Sequence, residues 1–223
     1  MGTYFSPETF RFLKDLKRNN ERAWFAANKA RYEEHVKAPA LRLIEDFAPA
    51  LADISPRFSA TPRSLYRIHR DTRFAKDKSP YKTHAGIHFR HERAKDAHAP
   101  GFYLHLEPGS VFAGVGIWHP DAPTLRRIRE HIVECPDAWK RASRSKAFLG
   151  VFEMAGERLT RAPRGFDPDH PLIEDLEWKD YVGVATLNEG FARAARLPRD
   201  LAKIFAAGKP FMRFLCEALA LPF

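Results

Sequence analysis

The chain has only two cysteines, Cys135 and Cys216, in 223 residues. Two thiols that far apart build no disulfide framework, and the expected setting is a reducing cytoplasm. Both sit in apolar, helix-like contexts, which suits inert core thiols better than nucleophiles. Long apolar runs are missing too. No window approaches the roughly 20 consecutive apolar residues of a membrane span, so no membrane partner is expected. The opening Met1-Gly-Thr-Tyr-Phe-Ser6 lacks a basic stretch followed by an apolar one, so no secretory signal is expected. There is no Gly-x-Ser-x-Gly, no Walker loop and no dinucleotide fingerprint, and catalytic residues stay unassigned. His-Glu-x-x-His and zinc-type cysteine pairs are also absent, so neither a metal nor another cofactor is expected.

What is present is a globular composition, 44% hydrophobic and 29% charged, with a net charge of +9. That charge is local. Residues 57–95 hold eleven basic and three acidic groups, while residues 96–223 hold seventeen of each. Six of the ten histidines lie between His69 and His105. Charge concentrated in this way suggests an electrostatic footprint.

The hydrophobic period changes along the chain. Ser6 as N-cap, Pro7 in the first turn and a Phe5–Phe10 staple predict a helix with Phe10, Leu13 and Leu16 inward, ending at Asn19-Asn20. A second helix is expected from Glu21 to about Lys37, broken by Pro39, and a third carries Leu41, Ile44, Phe47 and Leu51. From Ser64 to Trp118 the pattern alternates as in strands. Tyr66 and Ile68 belong to the first segment, Ala85, Ile87 and Phe89 to the second, and Phe102, Leu104 and Leu106 to the third. Val111, Ala113, Val115 and Ile117 mark the fourth. Glu107-Pro-Gly-Ser110 reads as a type II turn. Asp121 caps a further helix, Val182 to Leu187 suits a fifth strand, and Pro198 to Leu221 is expected to be helical.

The expectation is therefore α+β: a largely antiparallel sheet of four to five strands with helices packed on one face. One domain spans 1–223, with a helical layer over 1–56, the sheet over 64–118 and mostly helix plus one strand over 121–223. The other sheet face then collects Arg67, His69, His84, His88, Arg90, Tyr103, His105 and Glu107, beside Gly114 and Gly116. Glycines in strands let a ligand or another backbone approach. A solvated outer face is the plainer alternative.

Arg67, Arg70 and Arg73 recur every three residues, with Asp71 and Asp77 among them and Lys76, Lys78 and Lys82 in the same segment. Guanidinium forks suit phosphate or carboxylate, and lysines add point charge. The segment supports three readings. The favoured one is an anionic small-molecule site using Arg67, Arg70, Arg73, Lys78 and Lys82. There Asp71 orients, Tyr81 donates a hydrogen bond, and His84, His105 and Trp118 border the site. The second is single-stranded nucleic-acid binding by the same patch with Tyr66, Phe74, Tyr81 and Trp118 as stacking surfaces. The third is an internal ion-pair network with no ligand. Histidines from neighbouring strands, His69 with His84 or His88 with His105, converge only if the register allows. His119 or His170 beside Glu107 is a conceivable base, though each suits capping or packing better.

The run Arg67-x-x-Arg-Asp71-x-Arg-Phe74-x-x-x-Lys78-x-x-Tyr81 resembles the hallmark of a mainly bacterial family called domain of unknown function 2461. Tyr103-Leu-His-Leu-Glu-Pro-Gly109, Gly114-Val-Gly-Ile-Trp-His-Pro120 and Asp169-His-Pro171 support the resemblance. It extends over nearly the whole chain and implies membership. It brings no reaction, cofactor or catalytic residue with it.

Overall fold

The computed structural model describes residues 2–93 and 99–223. Lys95 and His98, which belong to the basic and histidine-rich region, lie outside them.

The first helix, α1 (Pro7–Arg18), begins as its sequence requires. The Ser6 hydroxyl accepts from the Glu8 amide, and the Thr9 hydroxyl accepts from the Ser6 amide. The next stretch is not one helix ending at Pro39. Two short helices, α2 (Arg22–Ala27) and α3 (Lys29–Tyr32), lead through a π turn (Glu33–Lys37) directly into α4 (Ala38–Ile54). Pro39 lies in the first turn of α4 instead of stopping the chain. The wide turn gives its ring room, and the His35 carbonyl that its missing N–H would leave unpaired accepts from Thr9 Oγ1 at 2.7 Å.

The sheet has six antiparallel strands: β1 (Phe58–Ser59), β2 (Ala85–His91), β3 (Gly101–Glu107), β4 (Ser110–Ile117), β5 (Glu153–Ala155) and β6 (Tyr181–Leu187). Their order is β1-β2-β3-β4-β6-β5. The predicted β2–β3–β4 alternation holds. Ile87 opposes Leu104 and Leu104 opposes Ala113, while Phe89 opposes Phe102 and Phe102 opposes Val115. This face meets α4 and the two C-terminal helices (Leu197–Ala207 and Lys209–Ala218), where Phe47, Phe89, Phe102 and Phe205 pack together out of water. Each such ring contributes roughly 1.5–3 kcal/mol by burial. Gly109 takes φ +78° in the β3–β4 turn, as the type II reading requires.

Further elements differ from expectation, β1 and β5 among them, since neither was expected as a strand. The stretch around Tyr66–Ile68 is not a strand. It touches the sheet through the bridge Leu65–Ile87 and then pairs with its own return at His69–Tyr81. Ile68 enters the core whereas Tyr66, two residues earlier, lies over Gly86 on the opposite face, a pattern no regular strand gives. The C-terminal helix is two, Leu197–Ala207 and Lys209–Ala218, meeting at Gly208 close against Val115. β5 is too short to show a period. Among the described residues no helix is long and apolar enough to cross a membrane.

Candidate functional site

The site forms where the α1–α2 turn meets the start of β2 and the end of β3. Asn20 fixes the chain there from both sides: its Nδ2 donates to the Tyr81 carbonyl at 2.9 Å and its Oδ1 accepts from the Tyr81 amide at 3.0 Å. The Tyr81 ring stacks on Phe25 at 4.1 Å between centroids and is buried. Tyr81 therefore anchors Lys82, Thr83 and His84 by packing.

Residues 71–79 form a loop closed by two backbone bonds, Arg70 N–H to the Pro80 carbonyl and Lys82 N–H to the Ile68 carbonyl. Its charges turn inward on each other. Arg73 forks onto Asp71 through Nε and Nη2, at 3.0 and 2.7 Å. Arg70 donates to Asp77 and to the Ser79 carbonyl, and Lys78 donates to the Thr72 carbonyl at 2.9 Å. Hydrogen bonds from Arg73 hold the Asp71 carboxyl at about 2, and those from Ser79, then Arg70, do the same for Asp77. At the loop tip Phe74 is 95% exposed.

Arg67, Lys82 and Arg90 differ. Among the described residues none of them has a carboxylate within ion-pair distance. Lys82 Nζ sits 4.8 Å and the Arg90 guanidinium 5.4 Å from the centre of the Tyr66 ring. Half-burial, and then the charge of Arg67, lowers the Lys82 pKa.

Beside this cluster the outer sheet face carries a hydrogen-bonded line. Tyr103 Oη lies 3.0 Å from His105 Nδ1, and His105 Nε2 lies 3.4 Å from Glu107 Oε2. The other Glu107 oxygen, Oε1, accepts from Thr83 at 3.1 Å and from Lys17 at 3.3 Å. Burial works to raise the Glu107 pKa, yet the bonds from Thr83, His105 and Lys17 leave it lowered. His84 stacks against His105 at 4.4 Å, and burial pushes its pKa down to about 4. His88, 2.8 Å from the Tyr66 hydroxyl, is driven to about 4 by burial and then Arg90. Both rings are neutral at neutral pH.

A cleft of about 330 Å³ opens here, lined by Lys17, Asn20, Arg70, Asp77, Lys82 and His84 among others. A wider one of about 620 Å³ lies along β2, lined by Arg63, His88 and Arg90 among others.

The histidine pair that converges is His84 with His105. His69 packs on Phe25 and Tyr81 instead, and His88 bonds to Tyr66. Trp118 is not brought to this corner. It lies beyond the Gly101–Gly116 pair, roughly 20 Å along the strands from the Glu107–Ser110 pair. Of the two glycines, Gly114 has room for a side chain at ordinary contact distance, whereas Gly116 has φ +127° and a side chain there would also strike the Tyr181 carbonyl. His119 binds the buried Asp180, which accepts from the His119 and Glu157 amides. Neither His119 nor His170 is a partner of Glu107, whose partners are Lys17, Thr83 and His105. Lys17, Asn20, Thr83 and Asp180 had no local sequence signal, since each acts on a residue more than twenty positions away.

A family model described as a conserved hypothetical protein (DUF2461) matches residues 8–214. The chain belongs to the DUF2461 family. Every residue of the site lies inside the DUF2461 match, Lys17 and Asn20 included. None of the curated proteins matches the chain.

Proposed function

We propose that this DUF2461 protein binds a small anion bearing phosphate or carboxylate in the 330 Å³ cleft, with Lys82 in its lining as the principal charge and Arg67, whose charge acts on Lys82, as support from outside the lining. The observation that carries this reading is the state of Lys82. It is half-buried, faces like charge from Arg67 and, among the described residues, has no carboxylate partner. Contact with the Tyr66 ring offsets part of that, by about 0.5–2 kcal/mol in general. An anion in the cleft supplies the rest. Asp71, Arg73 and Lys78 then shape the loop, Arg70 lines the cleft with its charge already engaged by Asp77, and Asn20 and Tyr81 hold the floor.

The test is a thermal-shift panel of inorganic phosphate, sugar phosphates, nucleoside monophosphates and citrate. At least one raises the melting temperature of the wild type, and Lys82→Gln removes the effect. Absence of any stabilising anion, or stabilisation that survives both Lys82→Gln and Arg67→Gln, refutes the reading. A second reading, single-stranded nucleic acid, draws on Phe74, an exposed ring flanked by Arg73 and near Lys76. It requires oligonucleotide affinity that falls steeply with salt and drops on Phe74→Ala.

A further inference from the structure

We infer that His84, His105 and Glu107 form a site for a divalent first-row transition-metal ion of the zinc class, bound by two imidazoles and one carboxylate oxygen. This stands apart from the anion reading, because its ligands are different residues.

The register builds the site. Ala85 opposes Leu106, so His84, one residue earlier, falls opposite Glu107, and Gly86 opposes His105. His105 and Glu107 are two apart on β3 and share its outer face. One ligand atom from each of the three residues lies within 4.8 Å of the others. Ligands about 2.1 Å from a tetrahedral ion stand roughly 3.4 Å apart. The His105 Nε2 to Glu107 Oε2 separation is 3.4 Å, long for a hydrogen bond to a carboxylate and suited to two ligands of one ion. The two remaining edges both run from His84, are at most 4.8 Å, and close when a swing of its ring shortens each by no more than about 1.4 Å.

The surroundings match what ligands of such an ion need. His105 Nδ1 is taken by the Tyr103 hydroxyl at 3.0 Å, which orients the ring and leaves Nε2 toward Glu107. Glu107 Oε1 is held by Thr83 and Lys17, which leaves Oε2 as the ligand atom. Among the described residues no hydrogen bond reaches either ring nitrogen of His84. A half-buried imidazole packed at 33° against another, with neither nitrogen in a protein hydrogen bond among the described residues, has a nitrogen available to an ion. His84 also lines the 330 Å³ cleft, so an ion has a path in from solvent. The donor set of two imidazoles and a carboxylate selects zinc-like or iron-like ions over magnesium or calcium, and leaves at least one position open. The nearby ammonium of Lys17 opposes the ion's charge. Its side chain is 63% exposed, so water screens that repulsion.

The full chain, stripped with a chelator and exchanged into phosphate-free buffer, is titrated with Co²⁺ and, separately, with Zn²⁺. One equivalent binds, Co²⁺ gives the visible absorption of a site with nitrogen ligands, and the melting temperature rises. His84→Ala and Glu107→Gln each weaken binding by about 100-fold or more, with circular dichroism unchanged. Lys82→Gln, which tests the anion site, leaves metal binding intact, so the two ideas fail separately. If the wild type takes up no stoichiometric ion, or if His84→Ala and Glu107→Gln bind as the wild type does, the site does not exist.

Discussion

The loop 71–79 and the sheet face beside it use the same residue types and treat charge in opposite ways. In the loop, Arg70, Arg73 and Lys78 each find an oxygen within nine residues, and Asp71 and Asp77 are held ionised at little depth. On the face, Lys82 and Arg90 meet an aromatic ring and, among the described residues, no carboxylate, and His84 and His88 are kept neutral by burial. Density of charge is therefore a poor guide to where a ligand belongs. The loop is richest in charge and pairs most of it internally, whereas the face holds fewer charges and, among the described residues, leaves Lys82 and Arg90 without a carboxylate. Exposed pairs are cheap to make and contribute little. A half-buried cation without a partner is costly, and the proposed anion would relieve that cost.

Four perturbations probe the contrast, from large to small. His88 has a depressed folded pKa of about 4 against 6.5 for the free side chain. The unfolded chain binds the extra proton first, so stability is whole above pH 6.5 and is lost as pH falls toward 4. The loss attributable to this group is about 3 kcal/mol. Denaturant melts at pH 7 and pH 4 show a smaller loss in His88→Gln than in the wild type. Equal losses mean that the face does not hold the ring neutral. Next, Asn20→Ala removes both bonds that fix Tyr81 and destabilises by about 2 kcal/mol, read from urea midpoints. A change below a few tenths says the stacked ring alone holds the floor.

Lys82→Gln in the ligand-free protein raises the melting temperature slightly, since a half-buried like charge beside Arg67 is gone. A fall says that Lys82 is already compensated. The smallest effect belongs to Arg73→Ala, which leaves the melting temperature unchanged while proteolysis within residues 71–79 speeds up. A large thermal loss there erases the distinction between loop and face.

Local elements were readable where one short stretch decides them. Ser6 and Thr9 cap α1 from within four residues, and Asp121 caps α5 (Ala122–Glu134) by accepting from the Thr124 amide at 2.9 Å. The β2, β3 and β4 alternation and the Gly109 turn were legible for the same reason. The segment at Tyr66 misled because alternation reports which side chains want burial. It does not report which partner the backbone pairs with. Pro39 misled because a tertiary donor, Thr9, serves the carbonyl that the proline leaves open.

The site divides along the same line. From the sequence came the family hallmark, the concentration of charge between residues 57 and 95, and the histidine-bearing face. Those rest on residue identity and a period of two, which need no partner strand. Only the fold decided that Arg70 and Arg73 spend their charge inside the loop, that Lys82 does not, and that His84 meets His105 and Glu107 while Trp118 lies at the far end. Those outcomes depend on register and loop closure. A one-residue slip there carries a side chain to the other face, and no local pattern records it.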